Sequence, residues 1–126
     1  MSPPQRGITF ATGSEWGAYA QREMSRWAKD GAVTPLAVRV LFAAMGQHDR
    51  NGHARFRSGE LADVLGSIDV TTDEVRPARR DSVSDAIKAA KRLGYITDES
   101  TVRCLVLSRH VFQKSWGSSD PCAVHG

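Results

Sequence analysis

The chain has 126 residues, 40% hydrophobic and 25% charged, the balance of one ordinary soluble domain and too little for a multidomain enzyme. Lys+Arg 17 against Asp+Glu 14 leaves a net charge of +3, which permits an anionic partner without requiring one. No apolar run approaches a membrane span or a signal peptide, and two cysteines, Cys104 and Cys122, are too few for a disulfide scaffold, so a cytosolic protein is expected.

The chain reads as an extension over 1–33, a compact domain over 34–112 and a polar tail over 113–126. In the extension, Ser14 stands where a helix cap would stand, and Trp16, Ala20, Met24 and Trp27 recur at helical spacing, predicting a helix over 15–29 that ends near Gly31. Thr34 and Pro35 then have the form of a cap and a first helical residue. The helix that follows carries Leu36, Val38, Val40, Leu41, Phe42, Ala44 and Met45 around much of its surface, so it is the expected hub of the core.

Asn51-Gly52 marks a turn, and a short strand is expected from His53 to Phe56. Ser58 is the expected cap of a two-turn helix with Leu61, Ala62, Val64 and Leu65 facing inward and Gly66 as its stop. The polar stretch 67–80 reads as a long loop with room for a small hairpin. Ser82 and Asp85 have the spacing of a capping box, followed by Val83, Ala86, Ile87, Ala90 and Leu93 on one face and Gly94 as the stop. Tyr95-Ile96-Thr97 and Val102 to Leu107, separated by Asp98-Glu99-Ser100-Thr101, read as a two-stranded hairpin.

This order is helix, strand, short helix, loop, well-marked helix, hairpin. With the stretches Ser58-Gly59-Glu60-Leu61-Ala62-Asp63-Val64-Leu65-Gly66 and Ser82-Val83-Ser84-Asp85-Ala86-Ile87-Lys88-Ala89-Ala90-Lys91-Arg92-Leu93-Gly94-Tyr95-Ile96, it resembles a winged helix-turn-helix domain. The resemblance implies a mostly helical α+β fold with an N-terminal helical extension, in which 82–93 is the recognition helix and 95–107 the wing. It also implies sequence-specific binding of duplex DNA in the major groove, as in small bacterial regulators of transcription or in the replication initiators of plasmids and phages. A winged helix used only to bind proteins is the alternative from another class.

The residues themselves lean the same way. Between 76 and 92 stand Arg76, Arg79, Arg80, Lys88, Lys91 and Arg92 against Asp81 and Asp85, a local excess larger than that of the whole chain. With the aliphatic side of the helix turned inward, Ser82, Asp85, Lys88, Ala89 and Arg92 are expected outward, with Ser84 and Lys91 on the flanks. Arg and Lys can meet phosphates or guanine acceptors, and Ser either a base edge or a phosphate. Asp85 reads first as the capping partner of Ser82. Two features depart from the family: the long 67–80 segment, where Arg76 and Arg79 could add phosphate contacts, and a wing tip holding Asp98 and Glu99. Arg103 is therefore the expected wing contact.

Cys104, His110, Cys122 and His125 could together close a tetrahedral zinc site. Cys104 in a strand reads first as a small core residue, however, and Cys-x-x-His near a terminus as chance, so no metal or cofactor is expected. No catalytic motif is legible, and His48 and His53 read as turn polarity, so no enzymatic activity is expected. A nucleoid-associated homodimer through the N-terminal helix is the expected assembly, because one recognition helix reads few base pairs.

Overall fold

A computed structural model describes residues 17–68 and 71–112. Over these residues the protein is a small α+β domain of four helices and two small antiparallel sheets. The helices are α1 (Gln21–Ala28), α2 (Leu36–Gln47), α3 (Glu60–Val64) and α4 (Arg80–Arg92). The strands are β1 (His53–Arg55), β2 (Ser67–Ile68), β3 (Val75–Arg76) and β4 (Cys104–Val106).

The apolar cylinder of α2 makes it the hub, packed by α1, α4 and β1. Val40 and Ala44 are fully buried on it, with Ala37 and Ala43 nearly so. Pro35 is the N-cap in extended backbone and no side chain caps the helix, so neither Thr34 nor Pro35 takes its expected place. A residue without an N–H loses nothing there.

The first helix begins at Gln21 rather than near 15, with Ala20 as an N-cap that makes no side-chain bond. Ser14 and Trp16 lie outside the described residues. Met24 and Ala28 are buried against α2, while Trp27 stays 39% exposed with its ring edge-on to Phe42 at 5.6 Å. The two helices cross where Ser25 meets Gly46: a Cβ at position 46 would stand 2.1 Å from the Ser25 Oγ, so the approach requires glycine. Gln21 Nε2 then donates to the carbonyls of Met45 and His48, both at 3.1 Å, satisfying acceptors at the end of α2.

Arg39, the one charged residue among the buried polar side chains described, links this helical pair to α3. Its Nε donates to Ala28 O at 2.8 Å and its Nη2 to Val64 O and Gly66 O at 3.0 and 3.1 Å. The guanidinium thus sits between the C-terminal ends of α1 and α3, where carbonyls point and the helix dipoles are negative. Burial lowers its pKa from the ordinary arginine value, an effect partly offset by Asp30.

The third helix is a single five-residue stretch capped by Gly59 in the left-handed region, φ 79°, and not by Ser58. Glu60 turns back instead, its Oε1 accepting from Arg57 N at 2.8 Å, which satisfies the donor ahead of the helix from the other side. Leu61 and Leu65 are buried.

The segment 67–80 contains the hairpin that its length allowed: β2 pairs antiparallel with β3, Ser67 opposite Arg76 and Ile68 opposite Val75. Gly66 lies against the returning strand so closely that a Cβ there would stand 2.0 Å from Arg76 O and 3.0 Å from Pro77 Cα. Ala78 N donates to Ala62 O at 2.8 Å. The ten residues 67–76 are therefore an excursion whose feet touch, and the connection from α3 to α4 behaves as a short turn.

That closure also resets the start of α4. Arg79 is the N-cap, Val83 N makes the first helical bond to Arg79 O at 3.0 Å, and Asp81 supplies the negative charge of the first turn. Ser82 and Asp85 are consequently inside the helix, and the capping box expected of them does not form. Val83, Ala86, Ile87 and Ala90 are buried. Leu93, expected in the core, is the C-cap beyond the last turn and 57% exposed. Gly94 turns the chain at φ 79°.

Buried throughout, β4 lies between β1 and the segment 95–97. It pairs with β1 in the register His53↔Val106, Ala54↔Leu105, Arg55↔Cys104. On its other edge Ile96 bridges Leu107, and Thr97 N donates to Val106 O at 2.8 Å. The returning turn is compact, with Thr101 bridging Cys104. The expected hairpin is thus present as a short paired segment, with regular strand over 104–106 alone.

Candidate nucleic-acid interface

The exposed side of α4 follows from its buried positions and the helical step of about 100° per residue. Directly opposite the core lie Asp81, Asp85, Lys88 and Arg92, all exposed, so the outermost line mixes two acids with two bases. Arg80, Ser84 and Lys91 occupy one shoulder, next to Lys88, and that shoulder carries no acid. Ser82 and Ala89 occupy the other. The cationic face is therefore rotated away from the centre of the exposed surface toward α3, which differs from the expected arrangement because the buried stripe is set by Val83, Ala86, Ile87 and Ala90 without Leu93.

The shoulder faces a groove of about 550 Å³. Arg80, Ser84, Lys88 and Lys91 line it from α4, Ser58 and Gly59 from the start of α3, and Val102 from the turn after the 95–97 segment. Of the candidate residues, the structure brings these four α4 side chains together at one site. Arg92, Ser82 and Asp85 lie on α4 outside the groove lining, and Arg79 and Arg76 precede the helix, Arg76 on β3 opposite Ser67. The ion pairs Arg26–Glu23 and Arg55–Asp49 both lie away from α4.

Arg103 stands in the turn between Thr101 and Cys104 and is exposed. Its Nε donates to Phe56 O at 2.7 Å, and its own carbonyl accepts from Phe56 N at 2.8 Å, so the residue is tied at these two points to the chain just after β1. Its neighbour Val102, apolar and 45% exposed, is the residue of this turn that lines the groove. A further cation, Arg57, is exposed and stands one residue ahead of Ser58, which lines the groove. Its signal in the sequence is adjacency to the start of the short helix.

The thiol of Cys104 is buried, and its Sγ lies 3.6 Å from His53 Nδ1 across the β1–β4 pair. His110 is exposed near the end of the described chain, and Cys122 and His125 lie outside the described residues. Among the described residues no group of three metal-ligating side chains occurs.

His48 has a definite role away from this face. Its Nδ1 donates to Asp49 O at 2.8 Å, which leaves Nε2 to accept from the Tyr19 hydroxyl. Phe112 stacks at a tilt on the same ring, centroids 4.6 Å apart. Burial raises the pKa of Tyr19.

Among the described residues no helix is long and apolar enough to cross a membrane. Comparison with known proteins finds no matching family model, curated protein or solved structure.

Proposed function

We propose that the protein binds duplex DNA through α4 and the rim of the adjoining groove, as a winged helix-turn-helix protein. In this reading α2, α3 and α4 are the three helices, β1, β4 and 95–97 the sheet, and 98–103 a reduced wing. The observation that carries it is the shoulder of α4, where Arg80, Lys88 and Lys91 stand beside Ser84, with no ion pair to them among the described residues, next to the start of α3. A surface of this kind attracts phosphates and gains by releasing their counterions. The wing tip, with Asp98 and Glu99, stays off the backbone, and Arg103 serves the sheet. Regulation of transcription is the leading role, with origin binding by a replication initiator as the alternative.

Fluorescence anisotropy with a labelled duplex tests the proposal. Affinity is expected to fall steeply between about 50 and 200 mM salt, and Lys88→Ala and Arg92→Ala each to weaken it and to lower the salt slope by about one. Unchanged affinity in both variants, with the fold intact, overturns the reading and leaves the protein-interaction alternative. A selection of bound genomic fragments separates promoters from origins.

A further inference from the structure

The groove beside α4 has a property that a phosphate-binding surface does not need. Its floor is aliphatic: Ala62 from α3, Ala78 from the connection, and Val83 and Ile87 from α4. Val102 closes one side with nearly half of its surface exposed, although it is a large apolar residue. Three cations, Arg80, Lys88 and Lys91, line the same groove. Water over an aliphatic floor is released at a gain when apolar surface covers it, while the cations gain from an anion at the edge. The groove's volume of about 550 Å³ falls within the range of roughly 300–1,000 Å³ usual for small-molecule sites.

We infer that this groove is a binding site for a small amphipathic organic anion, an apolar body of acyl or aromatic type carrying one carboxylate. The body lies on Ala62, Ala78 and Val102, above the nearly buried Val83 and Ile87, and the carboxylate is met by Lys88 and Lys91. A double helix presents charge along its whole backbone and no apolar body of this size, so the floor matches the smaller ligand. The inference goes beyond DNA binding and does not depend on it, since both occupants draw on the same lysines and either can be measured alone.

The experiment is a titration of the full chain with octanoate, followed by backbone amide chemical shifts, with uncharged octan-1-ol as the matched control. Octanoate is expected to shift amides around Ser58, Ala62, Lys88 and Val102, and octan-1-ol to bind at least about tenfold more weakly. Val102→Asp places a like charge at the groove edge, and Lys88→Gln with Lys91→Gln removes the anion partners. Each is expected to weaken octanoate binding by about tenfold or more, and Arg26→Ala on α1 to leave it unchanged. None of the three groove positions substituted is buried, so the variants keep the fold, as their amide spectra report. Equal binding of octan-1-ol and octanoate, shifts located away from the groove, or indifference to both sets of substitutions overturns the inference.

Discussion

Arg39 Nε donates to Ala28 O at 2.8 Å, so a cation from the middle of α2 holds the last turn of α1 while its other nitrogen reaches the end of α3. Removing it leaves three carbonyls in the interior without a donor. Arg39→Met is expected to destabilise the fold by about 3 kcal/mol, and Arg39→Lys by more than half of that, because an ammonium lacks the planar fork that serves two helix ends at once. Urea denaturation measures both; a loss below about 1 kcal/mol for the methionine variant contradicts the role given to this residue.

The touching feet of the β2–β3 excursion predict that its residues are dispensable to the fold. Deleting 67–76, so that Gly66 is followed directly by Pro77, is expected to preserve cooperative thermal unfolding and the helical circular dichroism signal. Gly66→Val in the intact chain is expected to be the more damaging change, since its side chain meets the Arg76 carbonyl head-on. A deletion variant that loses cooperativity while Gly66→Val does not reverses this expectation.

Because α4 starts at Arg80, the carboxylate of Asp85 has no capping duty and is exposed on the helix surface. Asp85→Asn is therefore expected to leave stability within about 0.5 kcal/mol. On the DNA-binding reading it raises duplex affinity several-fold at low salt by removing a charge that phosphates repel. Thermal denaturation and anisotropy on the same sample check the two halves; weaker duplex binding at unchanged stability assigns Asp85 a base contact instead.

Tyr19 gives a pH dependence. Burial raises its pKa in the folded state above the ordinary tyrosine value, so the folded form holds the phenolic proton more tightly than the unfolded form. The stability linked to it is complete below about pH 10 and is lost as pH rises through the folded value. Tyr19→Phe is expected to cost about 1 kcal/mol at neutral pH, from the lost bond to His48, and to show a shallower decline above pH 10. Parallel alkaline curves for the two proteins contradict the assignment.

The parts legible in the sequence were those in which local pattern and tertiary contact agree. The apolar cylinder of α2, the four buried positions of α4 and the stop at Gly94 follow from periodicity and one glycine. The start of α4 was misplaced because Ser82 and Asp85 satisfy a capping pattern, while the real start depends on the Ala78–Ala62 bond and on the closure of a hairpin, which no local spacing records. The end of the interior stripe failed for a related reason: Leu93 continues the period but lies past the last turn. Arg39 left a usable signal, a lone cation in a helix apolar nearly all round, and such a residue needs acceptors from neighbouring elements. The groove left less, since Val102, Ala62 and Lys91 come from three segments whose meeting depends on the fold.

Tyr19 and Phe112 lie near opposite ends of the described chain, yet both rest on the imidazole of His48. The path of the backbone therefore nearly closes on itself, and sequence order is one of several ways to trace this architecture. A permuted gene that joins those two ends through a short spacer and opens between β2 and β3 encodes the same packing with a different beginning.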